Sequence, residues 1–217
     1  MSIAVTDIKL SYAITVCNEL KEIKRLIKFL KKHKRDEDEI VVLFDKKNGT
    51  AEVWSYLNDA GVDTLEAAAF NHHFADWKNK LTSLCTGDYI FQIDADEIPH
   101  ETLIINLPVI LEFNNQHDVY LVPRVNTVNG LTKWHEQRWR WIVDERGWVN
   151  WPDYQWRIWK NKPEIKWINK VHERLEGFKT YGPLPAEEQL ALYHPKDIKR
   201  QEKQNEYYDS LEFDDKQ

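Results

Sequence analysis

The stretch Asp88-Tyr-Ile-Phe-Gln-Ile-Asp94-Ala-Asp96-Glu97 constrains this chain more than any other. Tyr89, Ile90, Phe91 and Ile93 favour a buried, extended segment, and three carboxylates follow within four residues. A strand that empties into acids belongs in an open α/β sheet, where ligands bind beyond the carboxyl ends of the strands. Neighbouring buried carboxylates repel and resist ionisation unless a metal or a basic partner neutralises them. Oxygen ligands at this density suit a hard ion, Mg²⁺ or Mn²⁺, which shares its coordination shell with substrate phosphates. The motif points to nucleotide-diphosphate chemistry.

The flanking segments predict the sheet. Ser11 to Cys17 is an apolar, β-branched run ending at Asn18-Glu19, and Leu20, Ile23, Leu26, Ile27 and Leu30 then recur at helical spacing, with Asn18 as the expected N-cap. Glu39 to Asp45 reads as a second buried strand, Thr50 to Ala60 as a helix, and Val62 to Leu65 as a short strand. This alternation is the signature of a parallel sheet. Phe74, Trp77, Leu81 and Leu84 predict a helix before the acidic strand, with Gly87 as its stop. Pro99 opens a helix to about Phe113, and Val119 to Pro123 reads as a strand. Eight of the ten tryptophans then fall between Trp134 and Trp167, and the composition changes near Asn126. The expected organisation is a single domain with a nucleotide-binding part over about 1–125. A second part, over about 126–217, ends in a helix from Pro195 to about Leu211.

At 217 residues the chain supports one substantial core. A net charge of -6 excludes a nonspecific nucleic-acid binder, and the basic run from Lys21 to Arg35 reads as the solvated face of a helix. Cys17 and Cys85 lie in apolar segments, too few for a disulfide framework. With no signal-peptide pattern and no long apolar run, a soluble cytoplasmic protein is expected, and peripheral membrane contact stays open.

Three loops should converge on one crevice: Thr15-Val-Cys-Asn18-Glu19, Asp45-Lys-Lys-Asn48 and Asp94-Ala-Asp96-Glu97. The first two offer polar groups to a base and ribose, the third holds a metal and diphosphate. Asn18 as a cap and Asp45 as a turn former are equal alternatives.

From Ser11 to about Pro99 the chain resembles a family 2 glycosyltransferase of the GT-A fold, a Rossmann-like, mostly parallel sheet flanked by helices. Ala13-Ile-Thr-Val-Cys-Asn-Glu19 stands at that family's first strand and Asn-Glu turn, and Asp94-Ala-Asp96 resembles its Asp-X-Asp motif. Trp77-Lys78-Asn79, followed by Asp94-Ala-Asp-Glu97, is similar to the lipopolysaccharide core β-glucosyltransferase type. Trp151-Pro-Asp153-Tyr-Gln-Trp-Arg157 and Val171-His172-Glu173 extend the likeness more loosely. The resemblance implies an inverting transfer of glucose or a relative from a UDP-sugar to a saccharide or lipopolysaccharide-like acceptor. It implies that Thr15, Asn18, Glu19 and Asp45 meet the nucleotide, that Lys78 lies by the base, and that Asp94 touches ribose or metal. Asp96 is then the direct ligand of Mn²⁺ or Mg²⁺, and His172 completes the metal shell or approaches the diphosphate. The chain departs from the family where Lys78 replaces an Arg, and where Asp45-Lys46-Lys47-Asn48 replaces Asp-Asp-Gly-Ser.

An inverting transfer needs a base for the acceptor hydroxyl, and Asp153 and Glu173 are the candidates. Trp151, Tyr154 and Trp156 around Asp153 are expected to raise its pKa by desolvation, although a turn residue after Pro152 is the plainer reading. Arg157 is expected to clamp a phosphate or an acidic residue with its planar fork. The tryptophans suit sugar rings, but placements such as Trp139 with Trp141, or Trp156 with Trp159, equally suit alternating core strands. Two other functions compete. A sugar nucleotidyltransferase would want a Gly-rich loop, and Thr15 to Glu19 contains no glycine. A noncatalytic carbohydrate-binding protein has no need of the intact acidic triplet.

Overall fold

The computed structural model describes residues 6–203 and 205. β1 (Leu10–Val16), α1 (Leu20–His33), β2 (Glu39–Asp45), α2 (Ala51–Asp59), β3 (Thr64–Ala68), α3 (Phe74–Thr82) and β4 (Tyr89–Asp94) alternate in order. β5 (Ile98–Pro99), α4 (Glu101–Phe113), β6 (Val119–Val122), β7 (Arg124–Asn129) and α5 (Lys133–Trp139) follow. The chain continues through β8 (Gln155–Lys160), β9 (Lys166–Ile168), β10 (Arg174–Glu176), β11 (Tyr181–Pro183) and β12 (Leu192–Asp197).

The central sheet has the order β11-β6-β8-β4-β1-β2-β3. β3, β2, β1 and β4 are mutually parallel, and β8 runs antiparallel between β4 and β6. Because β2 and β3 lie to one side of β1 and β4 to the other, the strand order reverses there, leaving a crevice at the carboxyl ends. Register pairs Thr15 with Asp94 across it. A second sheet, β5-β12-β7, starts directly after the acidic loop. β12 pairs Tyr193 with Ile98 of β5 and His194 with Asn126 of β7, so a strand remote in sequence meets the Asp94–Glu97 loop.

Apolar spacing explains the core. Ile23, Leu26, Ile27 and Leu30 of α1 are all buried against the sheet, each worth about 1.5–3 kcal/mol. Trp159 and Trp167 meet edge to face at 5.6 Å in a cluster on Val41, Leu43 and Ile90.

At the amino ends of the strands Glu39 is buried and fully engaged. It accepts from Ser11 Oγ at 2.5 Å, Thr86 N at 2.6 Å and Thr86 Oγ1 at 2.9 Å, with Lys9 Nζ at 3.5 Å. Asp38 beside it accepts from Leu10 N and from both Nε and Nη2 of Arg35. Gly87 admits the close approach, since a Cβ there would lie 2.8 Å from Lys9 O and Ser11 N.

Several boundaries differ from the sequence reading. The N-cap of α1 is Glu19, not Asn18, and the Glu19 carboxylate accepts from the backbone N–H groups of Cys17 and Asn18. α3 ends at Thr82 with Ser83 as its cap, so Gly87 serves strand packing rather than helix termination. Pro99 closes β5, and His100 caps α4 through its ring nitrogen to Thr102 N. The third strand starts later, at Thr64. Trp139 ends α5 and Trp141 lies in irregular chain, so those two do not alternate on a strand. Pro195 sits inside β12, where β5 no longer pairs and one edge tolerates a proline. Residues 198–203 are helical, and the expected continuation to Leu211 lies outside the described residues.

Candidate functional site

The crevice at the carboxyl ends of β1, β2 and β4 is a cleft of about 790 Å³. Thr15, Asn18 and Glu19 line it from β1, Asp45 and Asn48 from β2, and Asp94 and Asp96 from β4. Lys78 and Trp77 of α3 form one wall with Phe70 and Phe74, whose rings lie 4.9 Å apart. Arg157, Glu173, Arg124, His194, Lys196 and Arg200 complete it. The three loops marked in the sequence therefore do meet.

Each predicted residue has a definable environment. Asp45 accepts from Lys47 N at 2.9 Å, Asn48 Nδ2 at 2.8 Å and Phe70 N at 3.1 Å, so it builds its turn and ties it to the chain after β3. Burial alone would raise its pKa, but these donors bring it below the ordinary carboxylate value. Lys78 Nζ contacts Glu173 Oε1 at 2.5 Å and lies 4.1 Å from the centre of the Trp167 ring. The Cys17 thiol also lines the cleft, and burial, with Glu19 and Asp45 nearby, pushes it up to about 11.

The acidic triplet divides. Glu97 turns inward, fully buried, accepting from Arg157 Nη2 at 2.6 Å and Arg124 Nη1 at 3.1 Å. Asp94 accepts from the same Arg157 Nη2 at 2.5 Å. Burial opposes its charge, yet Arg157 and Lys78 hold it well below the usual carboxylate range. Arg157 thus clamps two acids, and of its two expected partners it takes the carboxylates.

Asp96 faces the cleft, with His194 Nε2 at 3.5 Å and Arg200 Nη2 at 3.2 Å from Oδ2. Burial and Asp94 push its pKa up, but His194 and Arg200 bring it below the ordinary value. His194 is buried, and its Nδ1 lies 2.9 Å from Asn126 Oδ1. The Asn126 amide is oriented by its own NH₂, which donates to Asp153 Oδ2 at 2.6 Å. A carboxylate only accepts, so Oδ1 faces the imidazole and Nδ1–H must donate to it. Nε2 is left for Asp96, as an N–H of the imidazolium or as a lone pair toward a cation shared with the carboxylate.

His172 does not fill that place. It is exposed with φ of 53° and does not line the cleft, whereas His194, which the sequence reading missed, does. The only signal for His194 was its alternation with Leu192 around Tyr193. Asp153 also differs from expectation. Burial raises its pKa, but Arg124 and hydrogen bonds from Asn126, Arg124 and Gln155 more than reverse this, and the net shift is downward. It lies behind Arg124, outside the lining of the main cleft.

Among the described residues no three His, Cys, Asp or Glu side chains are grouped to hold a metal ion. Asp96 and His194 offer two donors with a fixed tautomer. That fits an ion whose remaining ligands are substrate phosphate and water, the habit of Mg²⁺ and Mn²⁺ at nucleotides.

A family model described as Glycosyl transferase family 2 matches residues 11–181. The crystal structure of S. aureus TarS 1-349 is similar with a TM-score of 0.61 at 14% identity, covering 86% of this chain and 60% of that one. The same protein in complex with UDP-GlcNAc matches with a TM-score of 0.61 at 14% identity, over 87% and 58% of the two chains. Its complex with UDP gives 0.59 at 15% identity, over 86% and 60%. At such identity the likeness speaks for the fold alone, and the chain spans about three fifths of the length of these structures. No curated protein matches the sequence.

Proposed function

Because the chain belongs to glycosyl transferase family 2, we propose that it moves a sugar from a UDP-sugar to a hydroxyl of a saccharide acceptor, with inversion. The observation that carries this reading is the meeting of Thr15, Asp45, Lys78, Asp94 and Asp96 in one cleft at the strand-order reversal. The UDP and UDP-GlcNAc complexes of TarS, on a similar fold, support a uridine nucleotide. Glucose and the lipopolysaccharide core β-glucosyltransferase type remain part of the proposal on the strength of Trp77-Lys78-Asn79 and Asp94-Ala-Asp-Glu97. We read about 126–217 as the acceptor-binding part.

In this reading Thr15, Asn18, Glu19 and Asp45 meet the base and ribose, with Lys78 held beside them by Glu173. Asp96 and His194 are the residues that would hold Mn²⁺ or Mg²⁺, and such an ion would supply positive charge for the departing diphosphate. Asp94 stays ionised against Arg157 and shapes the nucleotide pocket. Lys196 and Arg200, also in the cleft, add positive charge where the diphosphate lies. Asp153 is the base. Its lowered pKa keeps it deprotonated through the neutral range, and Arg124 and Asn126 fix its carboxylate. Glu173, which lines the donor cleft and pairs with Lys78 at 2.5 Å, is the second candidate.

UDP release from UDP-glucose and UDP-GlcNAc in the presence of Mn²⁺ tests the reading. Wild type should release UDP from one of them, while Asp153→Asn lowers kcat for transfer by about 10²–10⁴-fold with UDP binding preserved. Full transfer activity in Asp153→Asn would remove it as the base, and no turnover with any UDP-sugar would argue for another donor.

A further inference from the structure

A second, smaller cavity of about 240 Å³ adjoins the cleft, and Arg124 and Lys196 line both. Trp141, Val128, Asn150 and Asp153 belong to its wall. We propose that this cavity seats one pyranose ring of the acceptor, with Trp141 against the ring's apolar face and Asp153 beside the attacking hydroxyl. The inference rests on the glycosyltransferase reading above and names the acceptor subsite within it.

Size and lining both point this way. The cavity has less than a third of the cleft's volume, room for one hexopyranose ring and not for a nucleotide. Its wall mixes an indole and two valines, Val128 and Val149, with amides and charges. A sugar ring has the same division, C–H faces suited to aromatic carbon and a rim of hydroxyls that need donors and acceptors. Trp141 is partly exposed, and Trp139 packs on it at 4.7 Å between ring centres, which limits its motion. Its neighbour Ile142 is joined to Asn150 in both directions, Ile142 N donating to Oδ1 and Asn150 N to Ile142 O. That link ties Trp141 to the opposite strand of the loop.

Position supplies the rest. Arg124 stands between the two spaces, its guanidinium donating to Asp153 on the small side and to Glu97 beside the acidic loop. A ring seated here is one side chain from the donor cleft. In the transfer, the acceptor oxygen forms its bond to the anomeric carbon as the bond from that carbon to the UDP oxygen breaks. The bonding pair leaves with UDP, and the hydroxyl proton passes to the Asp153 carboxylate. No further reactant is required.

The test is saturation-transfer NMR with a panel of methyl hexopyranosides in the presence of UDP and Mn²⁺. It is run on wild type, Trp141→Ala and Val128→Phe, the last of which fills the cavity, with UDP and UDP-glucose affinities measured by calorimetry on each. The account expects a pyranoside signal in wild type, weakened by about tenfold or more in both variants, with UDP and UDP-glucose affinities unchanged. A wild type that binds UDP but no pyranoside overturns the proposal, as do variants that keep the full signal. Loss of UDP-glucose affinity with UDP affinity intact gives the cavity to the donor sugar and overturns it as well. Failure of wild type to bind UDP is a separate result that sinks the UDP-sugar reading and this proposal with it.

Discussion

At the amino ends of β1 and β2, Asp38 and Glu39 have every carboxylate oxygen bonded to a nearby group, several of them backbone N–H or hydroxyl. At the carboxyl ends of β1 and β4, Asp94 and Asp96 are neutralised mainly by side-chain cations that reach across a cleft. Glu39 in the first region and Asp94 and Asp96 in the second are all held below ordinary carboxylate pKa values. They differ in what would have to move for a ligand to enter. Displacing Thr86 N or Ser11 Oγ from Glu39 means breaking strand packing. Asp96 has contacts of 3.2 and 3.5 Å to Arg200 and His194, which a phosphate-bound cation can replace without disturbing the sheet. At Glu39 a ligand would have to displace the Thr86 backbone, and at Asp96 only the side chains of Arg200 and His194.

Substitutions at the two ends should separate these roles. Asp96→Ala should lower turnover by roughly a thousandfold or more, the scale of several kcal/mol of charge stabilisation, with an unchanged melting temperature. A cooperative loss of fold in that variant would merge the two classes. Arg157→Met leaves the fully buried Glu97 and the half-buried Asp94 without their shared partner and should cost about 3–5 kcal/mol in urea unfolding. A stable Arg157→Met would mean that Arg124 alone supports Glu97.

Glu39→Gln is expected to cost about 1–3 kcal/mol while turnover per folded molecule stays at the wild-type level. Its pH dependence sharpens the contrast. Burial raises the Glu39 pKa, but Ser11, Thr86 and Lys9 outweigh it and lower the folded value. Its stabilisation is therefore fully present above the unfolded carboxylate value of about 4.3 and is lost as pH falls through the folded value. The stability of Glu39→Gln should fall less steeply than wild type below about pH 4, and identical acid limbs would show that Glu39 is not the responsible group.

The sequence reveals one end of this comparison much better than the other. Thr15, Asp45, Asp94 and Asp96 could be placed because a hydrophobic run ending in a polar residue puts that residue at a parallel strand's carboxyl end, a purely local rule. Lys78 was visible only through the family resemblance carried by Trp77-Lys78-Asn79. His194 did not, since its position depends on β12 inserting between β5 and β7, and Pro195 in that strand reads as a reason against one. His172, beside Glu173, was the more visible imidazole. The desolvation expected at Asp153 from its aromatic neighbours was real, but Arg124 and Asn126, which reverse its effect, approach from β7. Glu39 looked like any strand-initiating acid until Ser11 and Thr86 were seen around it. Local periodicity found the sheet and its open end, while long-range pairing decided which acids are satisfied and by what.

The most direct test of that account is calorimetric titration of UDP into wild type and Asp96→Ala, each with and without Mn²⁺. The account predicts that Mn²⁺ strengthens UDP binding to wild type and has no effect on UDP binding to the folded variant. Equal Mn²⁺ dependence in both proteins would contradict it.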